Sequence, residues 1–152
     1  MSHVATIAIE IRSLDALKAA VKELGCEWRE GQTTYKWYGR SVGDYPMPKG
    51  MTAEMLGKCS HVIKVPGVNY EVGVVKLPNG SYTLAYDFYG YDGSEHDGHK
   101  LLAKFGKNLG LLVQRYGVCL TTKLAQQRGC RVVRSVDAKT GSIRLAIAGG
   151  RL

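Results

Sequence analysis

Glu71-Val72-Gly73-Val74-Val75-Lys76-Leu77-Pro78-Asn79-Gly80-Ser81-Tyr82-Thr83-Leu84-Ala85-Tyr86-Asp87-Phe88-Tyr89 is the stretch that decides the fold class. Two runs rich in β-branched and aromatic residues flank Pro-Asn-Gly, a composition that bends a chain back on itself. The expectation is an antiparallel hairpin of Glu71–Leu77 and Ser81–Tyr89. A third strand is expected just before it, at Ser60–Val65, and a fourth over Thr33–Tyr38, where Thr, Tyr and Trp cluster. Between these lies Gly39–Gly57, with Pro46, Pro48 and four glycines. It reads as a long loop insert at about 39–59, with one helical turn near Ala53–Leu56.

At the start of the chain Ala5, Ile7, Ile9 and Ile11 recur with the period of a strand. Ser13 then stands at a helix N-cap with Asp15 in the first turn. Leu14, Leu17, Val21 and Leu24 form the apolar stripe, and Gly25 ends it. From His99 to about Arg128, Leu101, Phe105, Leu109, Leu112, Tyr116 and Cys119 recur at three and four. Continuing that helix places Lys123 on the apolar face, so a kink is expected near Gly117. A second hairpin, Arg131–Val136 and Ser142–Ala148, closes the chain. Ala5, Ile7, Ile9, Leu17, Val21, Leu101, Phe105, Leu109 and Leu112 are the expected core. The whole reads as one α+β domain over residues 1–152, a mainly antiparallel sheet with two helices packed on it.

The hydrophobic share of 45% suits a globular chain. No apolar run approaches the roughly 18 residues that cross a bilayer, and the first residues lack the basic start and apolar core of a secretion signal. The expectation is a cytoplasmic protein without a membrane partner. Cys26, Cys59, Cys119 and Cys130 are far apart in sequence and read as reduced thiols.

Charge divides the chain. Residues 1–99 hold ten Lys/Arg against twelve Asp/Glu, whereas residues 100–152 hold eleven Lys/Arg and a single acid, Asp137. Such a one-sided segment attracts phosphates or acidic partners. On the long helix Lys100, Lys104, Lys107 and Arg115 fall on one face, away from the apolar stripe. The final hairpin adds Arg131, Arg134 and Arg144. These seven are the candidate ligand-binding residues. Tyr82, Tyr86 and Phe88 share a strand face that reads either as core or as a stacking surface for bases.

Other candidates fall short of a chemical motif. Asp92 to His99 gathers His96, His99 and three acids, but has neither the calcium-loop spacing nor H-E-x-x-H, so no metal site is expected. Cys59 and His61 would share a strand face, yet no orienting acid accompanies them. Phe105-Gly106-Lys107-Asn108-Leu109-Gly110 lies inside a helical pattern and matches no phosphate loop. No catalytic residues, cofactor or metal are assigned.

Several segments carry a family resemblance along the whole chain. They are Met1-Ser2-His3, the strand and Leu-rich helix ending Leu24-Gly25, Tyr70-Glu71-Val72-Gly73-Val74, Gln114-Arg115-Tyr116 and Gly141-Ser142-Ile143-Arg144-Leu145. In these the chain resembles the family called domain of unknown function 1257, typified by a hypothetical plastid reading frame. Its longer middle, from Asp44 to Pro66, is similar to bacteriophage-type members. The resemblance implies a non-secreted α+β protein and carries over no catalytic residue. The combined expectation is a non-enzymatic binding protein for a phosphate-bearing ligand, a small nucleotide or nucleic acid, acting as a phage-type sequestering protein. The alternative is an adaptor that binds an acidic protein partner. The oligomeric state is left open, a homo-oligomer included.

Overall fold

A computed structural model of the chain describes residues 3–38, 47–48, 50–89 and 97–149. Among these residues five strands form one antiparallel sheet: β1 (Val4–Thr6), β2 (Glu27–Arg29), β3 (His61–Lys64), β4 (Val72–Lys76) and β5 (Tyr82–Asp87), in the order β1-β5-β4-β3-β2. The β4–β5 hairpin forms as its turn residues dictate. Val74 faces Leu84 and Lys76 faces Tyr82, and the Ser81 carbonyl closes the turn by accepting from the Leu77 N–H at 2.8 Å. Among the described residues three α-helices follow in chain order, α1 (Leu14–Glu23), α2 (Asp97–Phe105) and α3 (Gly110–Gln127). The last two strands, β6 (Cys130–Val136) and β7 (Ile143–Gly149), make a separate two-stranded sheet. The α+β class holds, with a third helix and with the last hairpin outside the main sheet.

Strand alternation divides the sheet into two faces. Ile63, Val72, Val74, Leu84 and Tyr86 point inward, where Leu17 and Val21 of α1, Leu101 and Phe105 of α2, and Leu112 and Tyr116 of α3 bury them. Val62, Val75 and Ala85 point the other way, against Tyr35 and Met51, with Trp37, Met55 and Leu56 at the margin. The segment expected to be a loop insert thus supplies a second apolar layer, and its short 3-10 turn at Ala53–Met55 lies where the helical turn was expected. Residues 39–46 and 49 of that insert lie outside the described residues.

Thr33–Tyr38 is a correction. These residues form no strand beyond a single bridge between Thr34 and Lys58, and run as a strap across the outer face. Two fully buried carboxylates hold the strap. Glu71 accepts from the Lys36 N–H at 2.9 Å and from Gln32 Nε2 at 3.2 Å. Asp87 accepts from the N–H groups of Tyr38, His3 and Tyr89 at 2.9–3.0 Å. Buried carboxylates persist only when so satisfied. The strand expected here forms instead at β2, which pairs with β3.

Two further expectations change. Ile9 is 42% exposed, because β1 ends at Thr6 and the chain bulges before Ile11 rejoins Tyr82. The bulge holds two residues more than β5 offers opposite, which preserves the inward phase of Ile7 and Ile11 and expels Ile9. Ala5 packs only partly buried against the core; the other seven expected core residues are buried. The helix break falls at Gly106–Leu109, and Gly117 lies within α3. Gly106, Asn108 and Leu109 all adopt left-handed backbone, with φ of 78°, 56° and 54°. No kink is needed for Lys123, because its ammonium meets the Asp15 carboxylate of α1 at 3.2 Å.

Gly73 shows why the outer layer needs this sequence. A Cβ there would run into the Tyr35 ring, so only glycine lets the strap lie flat on β4. Gly73→Ala is expected to cost about 1 to 3 kcal/mol by overpacking. Denaturant unfolding of Gly73→Ala in the wild type and in a Tyr35→Ala background checks the cause: the penalty should shrink clearly when the ring is gone.

Candidate functional site

The β6–β7 hairpin is the most cationic element whose two faces can be told apart. Cross-strand partners share a face. The pairs Arg131–Ala148, Val133–Ala146 and Ser135–Arg144 lie on one side, and Val132–Ile147, Arg134–Leu145 and Val136–Ile143 on the other. The second set turns toward α3 and α1: Val132, Ile143 and Leu145 are half-buried, and the Arg134 guanidinium pairs with Glu23 at the end of α1. Every residue of the first set is exposed, Val133 at 65%. The paired residues of this outer face include Arg131 and Arg144 and no acid; Asp137 follows them at the turn.

Glu23 sorts the remaining cations. Besides Arg134 it accepts from Arg115 Nη1 of α3 at 3.3 Å and from the Cys119 thiol at 2.9 Å. The Arg134 hydrogen bond, opposed by partial burial and supported by the Cys119 thiol and the charges of Arg134 and Arg115, brings the Glu23 carboxyl down to about 2. Burial and the Glu23 carboxylate push the Cys119 thiol up to about 11. Arg115 and Arg134 are therefore structural pins that fasten α3 and the hairpin to α1.

The seven candidate residues do not form one site. Lys100 and Lys104 stand exposed on α2, Lys107 on the turn after it, and Arg115 faces α1, because the left-handed break rotates α3 relative to α2. Lys104 lies near Cys26, where its charge partly offsets the burial that raises that thiol. Arg131 and Arg144 share the outer face of the hairpin, and Arg134 is on the inner one. Among the described residues Lys104, Lys107, Arg131 and Arg144 form no ion pair with a carboxylate, and neither do Arg128 and Lys139, which were not among the candidates. Arg128 precedes β6, and Lys139 sits in the β6–β7 turn. Alternation alone separates Arg131 from Arg134, so that division was available in the sequence; the pairing of Arg134 with Glu23 was not.

At the turn end of the hairpin an open hollow of about 600 Å³ is lined by Ser135, Asp137, Thr140, Ser142 and Arg144, among others. Asp137 is engaged there by the turn itself, accepting from the Lys139 N–H at 2.8 Å and the Thr140 N–H at 3.3 Å.

The remaining candidates separate in space. The Cys59 thiol donates to the Gln32 carbonyl at 3.2 Å on the outer side of the sheet. His61 lies against Trp28 and Tyr82 on the inner side and accepts from the Gly31 N–H at 3.0 Å. The backbone is irregular before β3 begins, which breaks the alternation that would have put them together. Burial, then the Glu71 charge, push the Cys59 thiol up to about 12, the opposite of an activated nucleophile. Tyr86 is buried in the inner core, with Tyr82 and Phe88 packed against it, so these rings are core. His96 lies outside the described residues, and no group of three metal-ligating side chains gathers among the described ones. No described helix is long and apolar enough to cross a membrane.

Comparison of the chain with family models, curated proteins and solved structures finds no match.

The Glu23 cluster has a pH signature. A carboxyl whose folded value is depressed stabilises the fold above its unfolded value, about 4.3. That contribution is lost as pH falls from there through about 2. Glu23→Gln should cost up to about 1 kcal/mol at pH 7, and the difference should shrink as pH falls below about 4.3 and close near about 2. Chemical denaturation across that range checks both the sign and the window.

Proposed function

We propose that the chain binds the phosphate backbone of nucleic acid through the outer face of the β6–β7 hairpin. The observation that carries this reading is the pairing pattern of the cations. Arg134 and Arg115 are spent on Glu23, and Lys123 on Asp15. Arg131 and Arg144 stand exposed and without a carboxylate partner, the nearby Asp137 of the turn being engaged by the Lys139 and Thr140 N–H groups. Guanidinium groups in that state match phosphate in bidentate geometry, and Lys139 adds a further cation in the turn.

A small nucleotide suits this surface less well. Nucleotide pockets are concave and hold the base against apolar or aromatic side chains, whereas the open hollow at the turn end of this face is lined without any ring, and Tyr82, Tyr86 and Phe88 are taken up by the core. Binding without turnover fits the separation of Cys59 from His61.

A second reading has its own support. Val136 and Ile147 are 62% and 48% exposed on the hairpin, and β7 pairs on one edge only. An acidic protein segment could add as a further strand.

Fluorescence anisotropy with labelled oligonucleotides at about 50 and 200 mM salt separates the two, since phosphate contacts release counterions. Wild type should bind with a steep salt dependence. Arg131→Glu with Arg144→Glu should weaken binding and reduce the log–log salt slope by about 2. Lys104→Glu with Lys107→Glu should do markedly less. Absence of binding to any oligonucleotide overturns the reading and puts the protein partner first.

A further inference from the structure

We infer that the nucleic acid bound is a B-form DNA duplex, with the β6–β7 ribbon entering its major groove. This rests on the nucleic-acid reading above and narrows it to one class of ligand. Single-strand binders combine cations with aromatic platforms on which successive bases stack. The outer face of the hairpin offers Arg131, Val133, Ser135, Arg144, Ala146 and Ala148, with no ring among them. What it offers instead is two strands of small or aliphatic residues, framed by two arginines.

The dimensions agree with a groove. A two-stranded ribbon fits the major groove of B-DNA, about 12 Å wide. Arg131 lies opposite Ala148, and Arg144 lies opposite Ser135. The two guanidinium groups therefore stem from diagonal corners of the face, four residues apart along the ribbon, or about 13 Å. They also stem from opposite strands of the ribbon, about 5 Å apart across it, so in a groove about 12 Å wide each arginine extends to the wall on its own side and reaches a phosphate of a different DNA strand. Between them Val133 pairs with Ala146. Their short side chains let the backbone approach base edges, where aliphatic groups contact thymine methyls and the Ser135 hydroxyl hydrogen-bonds a base of either kind. The hairpin also stands proud of the body, since Val136 near its tip is 62% exposed even on the inner side. A-form RNA has a deep, narrow major groove that such a ribbon cannot enter.

The test compares one sequence as a DNA duplex of about two turns, as its single strand and as an RNA duplex, at one low salt concentration. The DNA duplex should bind at least about ten-fold more tightly than either alternative. Ala146→Trp keeps the charge, lies on the exposed face, and plants a bulky ring where the groove floor would be. It should weaken duplex binding about ten-fold or more and leave single-strand binding unchanged or stronger, because the new ring can stack on bases. Val133→Trp, on the facing strand, should repeat the pattern, and circular dichroism confirms that both variants fold. Equal or tighter binding of the single strand, equal binding of the RNA duplex, or a duplex affinity unmoved by both tryptophans each overturns groove entry while the nucleic-acid reading stands. Failure to bind any of the three ligands overturns both.

Discussion

Glu71 and Asp87 sit together at the open end of the antiparallel hairpin, away from its turn, fully buried on the outer face of the sheet, and take hydrogen bonds from the chain that crosses it. A sheet with one face covered by helices leaves its other face to water unless something lies over it. Here that cover is irregular backbone, which carries polar groups that a buried surface cannot tolerate unpaired. The two carboxylates resolve the conflict by accepting the N–H groups of Lys36 and Tyr38, while the Lys36 carbonyl accepts from the Glu71 N–H at 2.9 Å. Tyr35 is thereby set down on Gly73, and Val62, Val75 and Ala85 gain an apolar lid. Both faces of the sheet are then packed, although only one is packed by helices.

The helical side solves a different problem, that of fastening three helices and a hairpin to one another. Ser13 caps α1, and the Tyr116 hydroxyl of α3 accepts from the Arg12 and Ser13 N–H groups at 3.1 and 3.3 Å. Glu23 joins α1, α3 and β6 through Arg115, Cys119 and Arg134. Using arginines here has an electrostatic result. It removes two cations from the basic third of the chain and leaves Arg131 and Arg144 as the exposed pair on the ribbon, so the charge excess is concentrated where the hairpin faces outward.

The hairpins were legible because turn chemistry and strand composition agree within a few residues: Pro78-Asn79-Gly80 and the stretch around Gly141 both turn as they read. The α1 stripe was legible for the same reason, with Ser13 and Gly25 at its ends. What failed had non-local causes. Thr33–Tyr38 has the composition of a strand, but Glu71 and Asp87 capture its N–H groups, a competition between residues about 35 and 49 positions apart. Lys123 looked misplaced on an apolar stripe because Asp15, its partner, is 108 residues away. In the basic segment, count and sign were visible at once. The division into pins and exposed groups needed strand alternation for Arg131 and Arg134, and the fold itself for Glu23.

The separateness of the β6–β7 sheet has a further consequence. Among the described residues no backbone hydrogen bond joins it to the five-stranded sheet, so its cooperative unit is its own. Its amide protons are guarded by its packing on α3 and by the Glu23 pin, and local opening can release them while the main sheet stays shut. In native-state hydrogen exchange the ribbon would then report a smaller opening free energy than β4 or β5. A ligand held on its outer face would raise that value for the ribbon alone.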